Sequence, residues 1–140
     1  MDFEIRLIEK EEMEVIIPLL QQLNPAIPYE ILKKRLQQML LQNYQCVGAY
    51  HGVRLVGISG IWMLTKYYVG KHFEPDNVFV LPEYQGKGVG QQLFDWIFGY
   101  AKSKGCSASE LNCYTSNETG QRFWEKQGYE LVAYHYQKKL

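Results

Sequence analysis

Cysteine, net charge and long apolar runs are all scarce in this sequence of 140 residues. The three cysteines, Cys46, Cys106 and Cys113, are odd in number and scattered, which argues against a disulfide framework and matches no metal-ligand spacing. The formal net charge is zero, which argues against nonspecific binding to nucleic acid. No apolar run approaches the roughly 18 residues of a membrane span, and no signal peptide is recognisable. We therefore expect a cytoplasmic protein that has no membrane partner and holds no metal.

The length and the hydrophobic content of 46% are typical of one globular domain, so we predict a single domain over residues 1–140. Hydrophobic periodicity and turn residues predict the order β-α-α-β-β-β-α-β-α-β. The fold class is therefore α+β, a mixed and mostly antiparallel sheet flanked by helices. The predicted strands are 3–7, 45–50, 53–64, 73–81, 107–113 and 129–138, and the predicted helices are 13–23, one beginning near Pro28, one from the glycine loop to about 104, and one from 116 to 128.

Proline and glycine add local detail to this prediction. Pro18 lies inside the first helical pattern and is expected to break it unless a new turn begins there. Gly57 and Gly60 lie inside a long β-type run, where glycine indicates a bulge or a close backbone approach. Lys102 and Gly105 mark the C-terminal end of the third helix.

The stretch with the strongest functional signal is a strand that ends at Pro82 and runs into a loop with glycines at alternate positions, Gly86, Gly88 and Gly90. An amphipathic helix begins inside this loop. Glycines let a ligand approach the main chain, and the first turn of a helix carries unpaired N–H groups with a partial positive charge. The pattern predicts an anion site, typically for phosphate, with Lys87 adding a positive charge.

Residues 85–90, Gln-Gly-Lys-Gly-Val-Gly, resemble the acyl-CoA pyrophosphate signature of the GNAT (Gcn5-related) N-acetyltransferases, Arg/Gln-x-x-Gly-x-Gly/Ala. The Val-x-Pro-Glu-Tyr before them also fits that family. A second segment, from Asn117 to Tyr129, is similar to the family's Asn-x-x-Ala-x-x-Phe-Tyr-Glu-Lys-x-Gly-Phe. The predicted element order is that of the GNAT fold and covers essentially the whole chain.

This resemblance implies acetyl-CoA as the acetyl donor and a direct transfer to a primary amine of a small molecule or peptide. It also implies a splayed parallel pair of strands at the cofactor site, in which the pantetheine arm lies like an extra strand. By the resemblance, backbone groups of Phe79 and Val80 pair with that arm, and Asn117 contacts it. The implied pyrophosphate ligands are the backbone N–H groups of the glycine loop, Gln85, Gly86, Lys87, Gly88, Val89 and Gly90. Family members are often dimers, so a homodimer is a candidate assembly.

Amine transfer needs a base, because aliphatic amines are mostly protonated near neutral pH. Glu74 and Asp76 are two residues apart and share a strand face, and His72 falls on the same face. Glu74 matches the position of a catalytic glutamate in some family members, although a bulge that the family has in this strand leaves its register open. The backbone N–H of Val80 is the expected donor to the oxyanion.

The sequence departs from the family at Trp124, which replaces the tyrosine that usually acts as general acid. An indole N–H donates hydrogen bonds but is no acid at useful pH. Tyr114 and Tyr129 are the nearby alternatives, and the sequence does not rank them. A second hypothesis is therefore an acyl-CoA-binding module with weak or no catalysis, and a third is a nucleotide-phosphate binder that uses the same loop.

Ordinary structural roles remain open for the same residues. Glu74 and Asp76 are also what a solvated strand face would carry, and His72 is expected to be a surface or loop histidine. The three glycines can be turn and cap residues, and Lys87 an ordinary solvated lysine. The amine acceptor is not identified by the sequence.

Overall fold

Two long strands, β3 (Arg54–Lys66) and β4 (Gly70–Val80), form the centre of the sheet. The computed structural model describes residues 1–140. Both runs are rich in β-branched and aromatic residues, and a short turn joins them, so they pair antiparallel from Lys66 and Gly70 onward. β1 (Glu4–Leu7) and β2 (Gln45–His51) extend the sheet antiparallel in the order β1-β2-β3-β4. The predicted antiparallel meander is confirmed.

The N-terminal helices follow the proline signals. A 3-10 helix over Lys10–Ile16 passes directly into α1 (Ile17–Leu23), and Pro18 lies in the first turn of α1. Proline is tolerated there because the first N–H groups of a helix have no intrahelical acceptor. Pro28 immediately precedes α2 (Tyr29–Leu40), as its fixed φ favours. Pro18 therefore starts a new helix, which is one of the two outcomes that the sequence left open.

Helix α3 (Val89–Ser103) packs on one face of the sheet. Its apolar residues Leu93, Phe94 and Ile97 are fully buried, and Phe98 contacts Phe73 of β4. Burial of this stripe against the sheet supplies the hydrophobic stabilisation that an isolated helix lacks. The helix ends where the sequence predicted, with Gly105 at a φ of 87°.

Strand β5 (Ala108–Ser109) is much shorter than the predicted strand over 107–113. It pairs parallel with β4 at only two positions, His72 and Phe73. The remaining residues of β4, 74–80, have no strand partner on the side away from β3. The sheet is therefore five-stranded and mostly antiparallel, with one parallel pair that is bonded at two positions.

The chain divides into two compact units, Met1–Ser109 and Glu110–Leu140. The first contains the sheet and α1 to α3. The second contains α4 (Glu118–Lys126), which begins after Asn117 and is followed by Gly128 at a φ of 96°. No helix of the chain has both the length and the apolar character needed to cross a membrane.

The predicted strand over 129–138 is wrong. Residues 129–140 have no regular secondary structure, and the side chains of 130–140 are exposed. Its tyrosines and valine favour strands, but β-propensity stabilises a strand only where its backbone pairs with a neighbour and one face is buried. The irregular alternation of apolar residues in this segment provides no such face.

Close packing at Gly57 gives a test of the fold. A Cβ at Gly57 would lie 2.7 Å from Cγ1 of Val89, the first residue of α3. We expect Gly57→Ala to lower the free energy of unfolding by about 1–3 kcal/mol because the buried contact is overpacked. The cost should shrink in a Val89→Ala background, where Cγ1 is absent. Denaturant unfolding measures both effects.

The matched control is Gly99→Ala, which adds the same methyl group to α3 at an exposed position with no atom within 4 Å of the new Cβ. This change should stabilise the protein by up to about 1 kcal/mol, since alanine favours helix. Equal unfolding free energies for the two variants would contradict the proposed contact between β3 and α3.

Candidate functional site

The unpaired edge of β4 presents the backbone of Val80. Leu81 N–H donates to Val56 C=O at 2.9 Å, so this opposed pair is hydrogen-bonded. Hydrogen-bonded and non-hydrogen-bonded pairs alternate along an antiparallel ladder. The next pair, Gly57 and Val80, is therefore the non-bonded kind, and the N–H and C=O of Val80 point away from β3. The same alternation turns the backbone groups of Phe79 toward Ile58.

The glycine loop that follows β4 adopts a conformation that other residues rarely adopt. Gly86 has a φ of 75° and Gly88 a φ of 84°, both in the left-handed region. Gly88 is the N-cap residue of α3, no side chain caps this end, and the first turn contains no acidic residue. The N–H groups of the first turn have no intrahelical acceptors, so this end of the helix is electrostatically suited to an anion.

Side chains around the loop fix its exit from the sheet. Gln85 Nε2 donates to Val80 C=O at 3.1 Å, which ties the loop back to the strand end. The Lys87 ammonium lies 5.5 Å from the centre of the Tyr84 ring, a cation–π distance. Arg54 forms an ion pair with Glu83 at 2.7 Å, and its guanidinium carbon lies 5.5 Å from the centre of the same ring. The loop is thus anchored while Gly86 and Gly88 stay exposed.

Glu74 lies in a polar cluster on the face of β4 that does not contact α3. Its Oε2 accepts from His72 Nε2 at 2.9 Å and from Lys66 Nζ at 3.3 Å. His72 Nδ1 lies 3.3 Å from Gly70 C=O. The expectation of a surface histidine is wrong, because the exposed fraction of His72 is 0%.

The charge of Glu74 is stabilised in this cluster. Partial burial raises the pKa of the Glu74 carboxyl, but the hydrogen bonds from His72 and Lys66 outweigh it, so the pKa is lowered from its ordinary value of 4.5. The carboxylate is therefore ionised near neutral pH, and it is a weaker base than an ordinary glutamate.

Asp76 is exposed, and each of its two carboxylate oxygens accepts a hydrogen bond. Trp62 Nε1 donates to Oδ2 at 3.0 Å, and the Asn77 backbone N–H donates to Oδ1 at 2.8 Å. Glu74 and Asp76 pair with Trp62 and Gly60 respectively, so they share one face of β4 as predicted. Asp76 is not part of an ion pair, in contrast to Glu74.

A β-bulge in β4 immediately follows Asp76. Gly60 pairs with Asp76 and Ile58 with Phe79, so Asn77 and Val78 together oppose the single residue Ser59. Asn77 has a φ of 41°, which asparagine tolerates better than most residues. The sequence analysis missed Asn77. The available signal was an asparagine beside an aspartate inside a strand pattern, since both residue types are depleted in regular strands.

In the second unit, Asn117 caps α4. Its Oδ1 accepts from Gly120 N–H at 2.9 Å, which satisfies one unpaired donor of the first helical turn. Trp124 contacts the rings of Phe123 and Tyr129 edge to face at 4.9 and 5.3 Å. The exposed fraction of Tyr114 is 84%, whereas Tyr129 is half-buried. The unit therefore carries two tyrosine hydroxyl groups in different environments. The contact of Asn117 with the pantetheine arm stays a prediction.

Comparison with known proteins places these features in a family. The model of the acetyltransferase (GNAT) family matches residues 12–129. An uncharacterised protein of Mycobacterium leprae is 33% identical over 95 residues, which are 67% of this chain and 25% of that protein. The thialysine N-epsilon-acetyltransferase of Mus musculus is 27% identical over 64 residues, which are 46% of this chain and 38% of that enzyme. The matches span a quarter to two fifths of these relatives' own lengths.

A solved structure has the same fold over nearly the whole chain. An aminoglycoside N-acetyltransferase in complex with CoA superposes with a TM-score of 0.84 and 21% identity, covering 99% of this chain and 96% of that one. At this identity the likeness shows the fold. The fold class predicted from the sequence is confirmed.

The cluster around Glu74 predicts a pH-dependent stability. The folded-state pKa of Glu74 lies below its unfolded value, so its ionisation stabilises the protein above about pH 4.5, and this contribution is lost as the pH falls through the folded pKa. Glu74→Gln should therefore lower the melting temperature near neutral pH, and the difference from the wild type should disappear in acid. Thermal unfolding across this pH range measures it.

Glu4→Gln is the control, because Glu4 forms an exposed ion pair with Arg6 at 3.1 Å. Exposed pairs contribute little, so this variant should differ from the wild type by only a small amount at every pH. A Glu74→Gln difference that persists unchanged in acid would show that its charge does not stabilise the fold.

Proposed function

Because the chain belongs to the GNAT acetyltransferase family, we propose that it transfers the acetyl group of acetyl-CoA directly to a primary amine of a small molecule or peptide. The observation that carries this proposal is the pairing of two features at one end of β4. The backbone groups of Val80 face an open strand edge, and the exposed glycine loop begins five residues later at Gln85.

These features fit the two parts of the donor. The open edge offers the Val80 N–H to an amide of the pantetheine arm, as an added strand would use it, and the Val80 C=O, which already accepts from Gln85 Nε2, has a lone pair for a second hydrogen bond. The backbone N–H groups of residues 85–90 and the N-terminal end of α3 suit a pyrophosphate. Phe79 and Asn117 remain predicted contacts, and Phe79 has the weaker support because its backbone groups point into the sheet.

Acetyl-CoA supplies an activated acetyl group, and the residues of the chain serve its transfer. The amine nitrogen forms a bond to the acetyl carbon, the carbon–sulfur bond breaks, and the amine loses a proton. Val80 N–H donates to the acetyl oxygen as negative charge develops on it. Asp76, exposed and free of an ion pair, is the better placed carboxylate to accept the amine proton. Glu74, whose pKa is lowered, maintains the negative potential of this face.

Relatives indicate the kind of acceptor to examine. One is named for thialysine and another for aminoglycosides, and both acceptors carry amines. The carboxylates of Glu74 and Asp76 on one strand face would attract such a cation. A suitable panel is therefore thialysine, lysine, an aminoglycoside and a short peptide with a free amino terminus.

A second candidate function is an acyl-CoA-binding module with little catalysis. The observation that favours it is Trp124, whose ring lies between Phe123 and Tyr129 where the family pattern has a tyrosine. An indole supplies no acid for the departing thiolate. A thiolate also leaves with less help than an alkoxide, because the ordinary thiol pKa is about 8.5. Catalysis without a tyrosine at this position is chemically feasible.

Calorimetric titration with acetyl-CoA tests the donor site, with ATP and NAD as competitors for the alternative of a nucleotide-phosphate site. We expect Gly88→Ala to weaken acetyl-CoA binding by at least about tenfold, equivalent to about 1.4 kcal/mol. Alanine is strained at the φ of 84° that turns the loop N–H groups outward. Release of CoA thiol with the amine panel then separates a transferase from a binding module.

Gly105→Ala is the control, because Gly105 has a φ of 87° at the opposite end of the same helix. Both variants should lose similar stability, whereas only Gly88→Ala should lose donor affinity. Equal affinities for the two would argue against the loop as the phosphate site, and no binding of acetyl-CoA by the wild type would refute the proposed function.

The assignment of the base makes a separate prediction. We expect Asp76→Asn to lower kcat about a hundredfold near neutral pH, and Glu74→Gln to lower it less. The Asp76→Asn defect should shrink toward about pH 10, where aliphatic amines lose their proton without a base. Steady-state rates across pH measure this. A larger and equally pH-dependent defect in Glu74→Gln would assign the base to Glu74 instead.

A further inference from the structure

A closed set of contacts surrounds the β4 bulge. The Tyr44 hydroxyl donates to Asn77 Oδ1 at 2.9 Å, and the Tyr44 ring lies 5.0 Å from the Trp62 ring. Trp62 and the Asn77 backbone both donate to Asp76, as described above. The bulge contacts, defined here as these four interactions among Tyr44, Trp62, Asp76 and Asn77, connect β3, β4 and the segment that follows α2.

Asn77 carries two unfavourable features inside this set. Its φ of 41° lies in the left-handed region, which is strained for a residue with a Cβ. Its Nδ2 is buried without a hydrogen-bond partner, which is unfavourable for a polar group. Costs of this kind persist where the surrounding structure enforces them, and they concentrate at functional sites.

The opposite strand is shaped to fit Asn77. A Cβ at Gly60 would lie 2.6 Å from the Tyr44 hydroxyl oxygen and at an impossible distance from Asn77 Oδ1. Glycine at position 60 therefore provides the space in which the two side chains meet. Burial raises the pKa of Tyr44 well above 10, so its hydroxyl stays a donor under ordinary conditions.

The bulge determines which face each functional residue occupies. Before it, Glu74 and Asp76 lie on the face opposite α3, and after it Val80 packs on the α3 face, near the first residue of that helix. Side chains alternate with a period of two, so the same sequence in a regular strand without a bulge would place the side chains of Glu74, Asp76 and Val80 on one face. The bulge therefore places the side chain of Asp76, the proposed base, and that of Val80 on opposite faces of the sheet.

We propose that Asn77 is a positioning residue that holds the bulge and thereby sets the carboxylates of β4 against the acetyl site. This rests on the proposed function for its catalytic part. At this position the bulge combines a positive φ with a side chain that accepts a hydrogen bond from the Tyr44 hydroxyl, and asparagine satisfies both conditions. The role that we propose for Asn77 includes no contact with substrate.

The experiment compares Asn77→Ala with Asn77→Gly. Alanine disfavours the positive φ and lacks the amide, whereas glycine lacks the amide but adopts the φ readily. We expect Asn77→Ala to lower kcat at least thirtyfold with less than a threefold change in the KM for acetyl-CoA. Asn77→Gly should recover at least a third of the lost activity on a logarithmic scale.

Asn43→Ala is the matched control, because Asn43 is the other asparagine with a positive φ, 65°, and it is exposed. It should lower the melting temperature as Asn77→Ala does while kcat per folded molecule stays unchanged. An equal kcat for Asn77→Ala and Asn43→Ala, or equal kcat losses for Asn77→Ala and Asn77→Gly, would overturn the proposal.

A second readout needs no substrate. The Trp62 indole proton donates to Asp76, so its exchange with solvent, followed by NMR and assigned with Trp62→Phe, should be at least tenfold faster in Asn77→Ala than in the wild type or in Asn43→Ala. Unchanged exchange would refute the positioning role. A wild type that acetylates no amine, with exchange accelerated in Asn77→Ala, would refute the proposed function and leave the structural role of Asn77 supported.

Discussion

One extra residue in β4 is the constraint on which the arrangement of the site depends. Asn77 and Val78 oppose the single residue Ser59. Beyond that point, the even-numbered residues of β4 occupy the face that the odd-numbered residues occupy before it. On one side of the reversal Glu74 and Asp76 face away from α3. On the other side Val80 packs toward α3 while its backbone N–H points off the sheet edge. A regular strand would provide one of these arrangements but not the other, because the alternation of side chains is strict.

The proposed donor side of the site consists largely of main chain. The Val80 edge and the loop around Gly86 and Gly88 present N–H groups whose direction is fixed by backbone torsion angles, not by side-chain chemistry. The proposed acceptor side is different, since it consists of carboxylates held by Trp62, Lys66 and His72. A common donor and variable acceptors are compatible with this division, because side chains on the acceptor face can change while the backbone of the donor side is retained.

Local signals in the sequence predicted much of this structure. Pro28 correctly predicted the start of one helix and Gly105 the end of another. The glycine loop lies between β4 and α3, as predicted. The shared face of Glu74 and Asp76 followed from the alternation of side chains along a strand. The failures involve contacts between distant parts of the chain. His72 is fully buried, and its partner in the sheet lies 36 positions away at Ala108, so no local pattern reports its surroundings. The segment 129–138 has strand-forming residues but no strand partner. Tyr44 and Asn77 meet across 33 positions, through a space that exists only because residue 60 is glycine.

The short pairing of β5 has a consequence for the protein without a bound donor. Residues 74–80 of β4 have no strand partner on the side away from β3, and such an edge is a template onto which a strand of another chain can add. Charged residues and bulges are features by which natural sheets discourage that addition, and Glu74, Asp76 and the irregular step at Asn77 all lie on this edge. The residues that we propose to attract a cationic amine would therefore also oppose edge-to-edge association of the sheet, so two separate requirements fall on one strand.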